Sequence, residues 1–160
     1  MVICMVKTNA IRILEKNKIK YEEFIYEASS FHNGVESASK LNLNLDYVYK
    51  TIVVISKSKN YYTLVLPVAK ELDLKKCAKY LNEKSLELIN INDMLKITGY
   101  VRGGCSPIGM KKNFKTLIDN SAQNKDCIYV SGGKIGLQIK ISPLDLNEIL
   151  SIEFKDICED

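Results

Sequence analysis

The chain has 160 residues, is 46% hydrophobic and 26% charged, and carries a net charge of +4. This composition predicts one globular domain and argues against a disordered chain, and no apolar run reaches the roughly 18 residues of a membrane span. One histidine and five scattered cysteines without a Cys-x-x-Cys pair argue against a structural zinc site and predict reduced thiols in a cytoplasmic protein.

The first third of the chain predicts a helix, a strand and a second helix. Thr8 has the side chain of an N-cap, and Ile11 and Leu14 follow at helical spacing, so a first helix is expected to end near residue 18. This amphipathic start does not fit a cleaved signal peptide. Residues 19–27 read as a strand, and residues 35–43 as a short helix. The expected buried side of that helix carries Val35, Ala38 and Leu41–Leu43.

The middle of the chain predicts a β-hairpin followed by helices. Residues 49–56 and 61–68 are rich in β-branched and aromatic residues, and the polar segment Lys-Ser-Lys-Asn separates them, so an antiparallel hairpin is expected. The apolar run over residues 51–55 favours a strand that is covered on both faces. Residues 72–81 have helical spacing, and a further helical turn from residue 91 is expected to end at Gly99.

The last third predicts three strands and a helix. Residues 113–119 and 126–133 read as strands, and residues 136–142 alternate apolar and polar side chains, which predicts a half-exposed strand. Ser142 followed by Pro143 is typical of a helix start, and that helix is expected to run to about Leu150. The whole pattern predicts an α+β domain with a curved, mostly antiparallel sheet.

Two clusters contain most of the glycines. Seven of the eight glycines lie between Gly99 and Gly136, around Gly103-Gly104 and around Gly132-Gly133. Paired glycines allow a sharp turn and let a ligand approach main-chain N–H groups, which can bind a carbonyl oxygen or an oxyanion. An isolated glycine pair is more often a plain structural turn, but two such clusters in one small domain favour a shared pocket.

Positive charge is concentrated beside the first glycine cluster. Between Arg102 and Lys125, five basic residues oppose Asp119 alone, which gives a local charge of +4. This local charge fits a partner that carries phosphate, and it equally fits a solvated lysine face. Phe114 is the only aromatic residue between residues 101 and 126, which argues against a generic nucleic-acid binder that stacks bases.

The residues do not offer a familiar catalytic set. His32, the single imidazole, lies in a polar Ser-Ser-Phe-His-Asn-Gly segment that is typical of a surface position. Neither a phosphate-binding P-loop nor a dinucleotide-binding glycine pattern is present, so nucleotide hydrolysis and hydride transfer are poorly supported. Cys105 and Cys127 lie near the glycine clusters, but cysteine is commonly a small apolar filler. Lys50 opens a predicted strand, where it is either solvated or a partly buried ammonium that binds a carbonyl or phosphate oxygen.

Three segments together carry a resemblance that covers nearly the whole chain: YKTIV at 49–53, GYVRGGCSPIG at 99–109 and IYVSGGKIGL at 128–137. In order and spacing they resemble the YbaK/EbsC family of Cys-tRNA deacylases, within the wider group of prolyl-tRNA synthetase editing-domain homologues. The middle motif is the most specific of the three. The resemblance implies a single compact α+β domain over residues 1–160, with a curved, mostly antiparallel, barrel-like sheet flanked by helices.

The resemblance also implies an activity, which is the removal of cysteine from mischarged Cys-tRNA(Pro). It implies no cofactor and no metal. The implied partner is the mischarged tRNA, with prolyl-tRNA synthetase as a second candidate. The alternatives are a deacylase of Ala- or Ser-tRNA in the same superfamily, and a non-catalytic module that binds tRNA or the synthetase.

Site residues follow from the same motifs. The resemblance implies four catalytic residues, Lys50, Gly103, Ser131 and Tyr26. It implies five substrate-binding residues, Gly104, Ser106, Pro107, Gly132 and Gly133. Relatives often have an acidic/His/acidic run after the tyrosine, whereas this chain has Glu27-Ala28-Ser29. Any role of that run, and any role of His32, therefore does not carry over.

The mechanism implied by the resemblance needs no protein nucleophile. The thiol of the substrate's own cysteine attacks the ester carbonyl and leaves a thiolactone and free tRNA. Positioning and stabilisation of the oxyanion then suffice for catalysis. In this hypothesis, Lys50 and the N–H groups of Gly103 and Gly104 bind the ester and the terminal ribose, and Ser131 orients the aminoacyl group.

Overall fold

A computed structural model describes residues 7–27 and 34–160 of the chain. The helices are α1 Asn9–Lys16, α2 Gly34–Lys40, α3 Leu74–Tyr80, α4 Ile91–Thr98 and α5 Pro143–Ile149. The strands are β1 Glu22–Ile25, β2 Tyr49–Ser56, β3 Tyr61–Pro67, β4 Leu86–Leu88, β5 Lys115–Asp119, β6 Ile128–Ser131, β7 Leu137–Ile141 and β8 Ile152–Lys155. Two short 3-10 turns cover Leu45–Tyr47 and Asn120–Ala122.

The helix ends lie where the sequence predicts them. The Thr8 hydroxyl accepts a hydrogen bond from the Ile11 N–H at 3.2 Å and caps α1. Gly99 ends α4 with φ of +86°, a conformation that glycine adopts without strain. Ser142 caps α5, and Pro143 occupies its first turn, where a missing N–H costs nothing.

The strands form two sheets, which confirms the predicted α+β class with mostly antiparallel pairing. One sheet has the order β1-β7-β6 and is antiparallel throughout. The other has the order β4-β2-β3-β5-β8, in which β2 is antiparallel to β3 and β4, while β5 is parallel to β3 and β8. A single parallel bridge, Val48 to Tyr129, joins the two sheets. Among the described residues, the two sheets form a curved arrangement that does not close into a barrel.

The larger sheet separates two parts of the core. On one face of β3, Val65 packs into the main cluster with α1 and the three-stranded sheet. On the other face, Leu64 and Leu66 pack against α3. The prediction that residues 51–55 are covered on both faces holds for Val53 and Val54, which are buried in different clusters, whereas their neighbours are partly buried.

Two predictions about local structure need correction, and two strands were missed. Val35 is 40% exposed and does not lie on the buried side of α2, which packs through Ala38. Gln138 is buried, so β7 is not the half-exposed strand that its alternation predicts. Strands β4 and β8 were not predicted. Both are short, and most of their residues are exposed or partly buried, so they lack a clear apolar pattern.

Within the two described ranges, no helix is long and apolar enough to cross a membrane.

Candidate functional site

A cavity of about 370 Å³ opens between the two sheets along strand β2. Val48, the residue before β2, forms the bridge to Tyr129 of β6. Strand β2 pairs with β4 from Val54 onwards, and the Ile89 N–H also donates to the Val53 carbonyl at 3.2 Å. Between these points the strand has a hydrogen-bonded neighbour on its β3 side but none on the other side among the described strands. The cavity occupies this gap, and residues 49–53 form one wall of it.

Three predicted catalytic residues from three distant motifs line this one cavity: Lys50 on β2, Gly103 in the first glycine loop and Ser131 at the end of β6. Lys50 is partly buried, and its side chain has no ion pair or hydrogen bond with another of the described residues. Gly103 has φ of +85°, which favours glycine at that position. The motifs thus converge in space, while the catalytic roles remain predictions.

Ser131 has a neighbour that the sequence analysis missed. Ser131 and Gln138 are opposite each other in the antiparallel pair β6–β7, so their side chains lie on the same face of the sheet, and both residues line the cavity. The Ser131 hydroxyl accepts a hydrogen bond from the Gly133 N–H at 3.3 Å, which orients it. The signal available in the sequence was the hairpin register around Gly132–Gly136, which places a polar residue opposite the serine.

The two glycines of the Gly103-Gly104 pair have different environments. The Gly104 N–H donates to the Val101 carbonyl at 3.0 Å, so this N–H is already used within the turn and is not free for an ester oxygen. Gly104 does not line the cavity. A Cβ placed on Gly104 would lie 2.9 Å from the backbone of Lys134 and Ile135. Gly104 is therefore the point where the two glycine loops touch.

Four other predicted substrate-binding residues do not line the cavity: Ser106, Pro107, Gly132 and Gly133. Ser106 is fully buried, and its hydroxyl accepts a hydrogen bond from the Ile108 N–H at 3.2 Å. A Cβ on Gly133 would lie 3.0 Å from both the Thr8 and Tyr100 side chains, so this loop packs closely on the start of α1. These residues pack within the two loops, and their substrate-binding roles remain predictions.

Tyr26 lies immediately after β1, and its role as a catalytic residue stays a prediction. It is buried and does not line the cavity. Its hydroxyl accepts a hydrogen bond of 2.9 Å from the Ser37 hydroxyl, and Ser37 does line the cavity. Tyr26 thus contacts the site through Ser37. His32, Ala28 and Ser29 lie outside the described residues.

The two cysteines near the glycine loops have different surroundings. Cys105 lines the cavity and is buried, and burial raises the pKa of its thiol to about 12. A thiol with that pKa remains protonated at neutral pH and is a poor nucleophile. Cys127 lies in a separate surface depression with Tyr21 and Lys140.

Replacing Cys105 with alanine is expected to leave the deacylation that the resemblance implies within about threefold of the wild-type rate. It is expected to cost roughly 1 kcal/mol of unfolding free energy, since only a small buried group is removed. Thermal unfolding and single-turnover deacylation would measure the two effects. Cys127→Ala is the matched control outside the cavity. A loss of rate above tenfold in a protein that melts normally would make Cys105 a participant in the chemistry.

Some of the basic residues between Arg102 and Lys125 contact other side chains of the protein. Lys115 pairs with Glu153 at 3.3 Å. Lys125 donates to the Tyr49 hydroxyl at 3.0 Å and lies over the Tyr47 and Tyr49 rings. Arg102 lines the cavity, and Lys111 and Lys112 are exposed further along the same segment. The basic surface near the site is therefore smaller than the sequence suggests.

The family model of the aminoacyl-tRNA editing domain matches residues 30–149. The chain belongs to this family. It is 40% identical over 152 residues to a protein of Enterococcus faecalis (strain ATCC 700802 / V583) that is named as a candidate Cys-tRNA(Pro)/Cys-tRNA(Cys) deacylase, EbsC. The match covers 94% of this chain and 93% of that protein. The family resemblance read from the three motifs is confirmed, and with it the general function of aminoacyl-tRNA editing.

Solved structures agree on the fold of this editing-domain protein. A crystal structure of a hypothetical protein superposes with a TM-score of 0.85 at 20% identity, covering 94% of this chain and 99% of that one. The structure of a candidate trans-editing enzyme for prolyl tRNA synthetase has a TM-score of 0.81 at 18% identity, covering 98% of this chain and all of that one. At these identities the likeness establishes the fold.

Proposed function

We propose that this protein is a trans-editing deacylase that removes cysteine from mischarged Cys-tRNA(Pro). The observation that carries the proposal is the convergence of Lys50, Gly103 and Ser131 on one small cavity. The name of the Enterococcus faecalis relative supports the choice of substrate. We further propose that residues 1–160 act as one editing domain in the cytoplasm, where charged tRNA and prolyl-tRNA synthetase are found.

The cavity suits the end of an aminoacyl-tRNA. Its volume of about 370 Å³ is near the lower limit of small-molecule sites, so it is large enough for a small aminoacyl group with its ribose. Ile52, Val53 and Met94 give it an apolar wall. A cysteine side chain can pack against this wall because a thiol is small, polarisable and weakly polar.

The proposed reaction is intramolecular. The cysteine thiol of the substrate gives up its proton, and its sulfur forms a bond to the ester carbonyl carbon. The bond from that carbon to the ribose oxygen breaks, and the ribose oxygen takes a proton, which leaves free tRNA and a thiolactone that water then opens. Lys50 stabilises the negative charge on the carbonyl oxygen, and Ser131 fixes the aminoacyl group.

A comparison of matched substrates tests this function. The pure protein is expected to release cysteine from Cys-tRNA(Pro) at least about tenfold faster than alanine or serine from the same tRNA. The 2-aminobutyryl ester has nearly the shape of the cysteinyl ester but lacks the thiol, so its release is expected to be slow. Equal rates for the cysteinyl and 2-aminobutyryl esters would overturn the intramolecular mechanism, and faster release of alanine or serine would assign a different substrate.

A further inference from the structure

The cavity follows the edge of strand β2 and is not confined to one of its faces. Successive side chains of a strand point to opposite faces, yet all five residues from 49 to 53 line the cavity. A cavity that is lined by both sets of residues lies beside the strand, in the direction of its main-chain N–H and C=O groups. The main chain of β2 is therefore part of the cavity wall.

The register of the hairpin shows which main-chain groups of β2 point towards the cavity. The Val68 N–H donates to the Val48 carbonyl at 2.9 Å, so the even-numbered residues of this segment exchange hydrogen bonds with β3. The odd-numbered residues direct their N–H and C=O groups to the opposite edge. The hydrogen bond of 3.2 Å from the Ile89 N–H to the Val53 carbonyl, on that opposite edge, agrees with this alternation.

Thr51 lies at the centre of the open part of this edge. The bridge to β6 is at Val48, and the Val53 carbonyl is already bonded on the β4 side. Between these two points, neither the strand pairing nor any other main-chain hydrogen bond among the described residues uses the Thr51 N–H. A main-chain N–H is an obligatory donor, so a ligand or solvent has to supply its acceptor.

The opposite wall of the gap is also a strand edge. Strand β6 is the outer strand of its sheet, and the Gly132 N–H donates to the Leu137 carbonyl at 2.9 Å. By the same alternation, the main chain of Ser131 points away from β7 and towards β2. Counted along both strands from the bridge that joins them, Ser131 is level with Lys50. A ligand between these edges takes the place of the missing strand pairing, as extended ligands do at sheet edges.

The charges at the gap favour an acceptor that carries negative charge. Of the described residues that line the cavity, Lys50 and Arg102 are cationic and none is Asp or Glu. The Gly104 N–H, which the motifs suggested as a donor to the ester, is bonded to the Val101 carbonyl. The Thr51 N–H is a donor next to Lys50 in the chain, and a donor fixed in a strand needs no reorganisation during the reaction.

We propose that the main-chain N–H of Thr51 donates a hydrogen bond to the carbonyl oxygen of the aminoacyl ester and to the oxyanion that forms there, an inference that rests on the deacylase function proposed above. The Lys50 ammonium binds the same oxygen, so the negative charge develops between a fixed dipole and a cation. The Thr51 side chain lies on the face of β2 opposite Lys50, so the contribution of Thr51 comes from its main chain.

Replacing one peptide bond with an ester tests this donor. An α-hydroxy acid in place of Thr51 removes its N–H and keeps its side chain, and it is expected to slow single-turnover deacylation of Cys-tRNA(Pro) by about 100-fold. The matched control is the same replacement at Thr63, which does not line the cavity and whose N–H faces β5 by the same alternation. Both replacements weaken one carbonyl acceptor of the β2–β3 hairpin, that of Lys50 or that of Tyr62.

The two ester-containing proteins are expected to differ in opposite directions. The Thr63 replacement breaks a buried sheet hydrogen bond, so it is expected to lower the melting temperature more than the Thr51 replacement does and to keep the rate within about threefold of the wild type. The Thr51 replacement removes a donor that no strand uses, so its main effect is on the rate. Equal deacylation rates of the two proteins would overturn the proposal.

A second measurement uses the wild-type protein alone. The cysteinyl amide of 3'-amino-3'-deoxyadenosine keeps the carbonyl oxygen of the substrate and is not deacylated in this way. Its binding is expected to slow hydrogen exchange of the Thr51 amide by about tenfold or more and to leave Thr63 unchanged. An unprotected Thr51 amide in the bound complex contradicts the inference. With an active wild type, either adverse result removes this inference only, whereas an inactive wild type removes the proposed function and this inference with it.

Discussion

Replacing Lys50 with methionine is expected to slow the deacylation of Cys-tRNA(Pro) by about 100- to 1000-fold, the usual effect of removing one group that stabilises a developing oxyanion. Lys50 is partly buried at the cavity and has no counter-ion among the described residues. Its charge is therefore available to the substrate. Methionine keeps the length and the apolar stem of the side chain, so the fold is expected to melt within a few degrees of the wild type.

The control for this prediction is Lys57→Met, the same change at the exposed turn that follows β2. It removes one positive charge from the same hairpin, so it reports any general effect of charge on tRNA binding. Single-turnover rates at saturating protein separate a loss of chemistry from a loss of binding. A Lys50→Met protein that deacylates as fast as Lys57→Met would exclude Lys50 from catalysis.

Replacing Gly104 with alanine is expected to lower both stability and activity, since the new methyl group would lie 2.9 Å from the backbone of Lys134 and Ile135. Backbone atoms cannot rotate away, so the two glycine loops have to separate. Overpacking of this kind costs about 2–3 kcal/mol, or roughly 5–10 °C in melting temperature for a domain of this size. Because Gly103 and Ser131 lie on these loops, a rate loss of about 10- to 100-fold is expected with it.

Gly99→Ala is the matched control for the loop contact. Unlike Gly104, Gly99 has a positive φ, of +86°, and the nearest atom to an added Cβ is on the flexible side chain of Lys111, at 3.3 Å. This variant is expected to lose about 1 kcal/mol from backbone strain and to keep its activity. Wild-type melting and wild-type rates in Gly104→Ala would contradict the close approach of the two loops.

The gap along β2 explains why a site forms at this point in the fold. Among the described residues, residues 49–52 have no paired strand on one side, because the bridge to β6 is at Val48 and the hydrogen bonds on the β4 side begin at Val53. The free edge and the two glycine loops enclose a space that neither sheet fills. Lys50 therefore lies on a part of β2 where strand pairing on one side stops.

The sequence by itself determined much of the secondary structure of this protein, because those elements depend on local interactions. The caps at Thr8 and Ser142, the Gly99 helix end and the β2–β3 hairpin depend on residues close together in the chain, so their patterns were readable. The three motifs also determined the family, since their order and spacing are sequence properties. The convergence of Lys50, Gly103 and Ser131 was expected only through that resemblance.

Only the tertiary structure shows which motif residues line the cavity and which pack within the loops without lining it. Gly104, Ser106 and Gly133 share motifs with the residues that line the cavity, but their environments are set by contacts with distant segments. Gln138 looked like the exposed residue of an alternating strand, and its burial results from strand β7 being central in its sheet, between β1 and β6. Burial and the lack of a hydrogen-bond partner are properties of the packed molecule, so no local pattern reveals them.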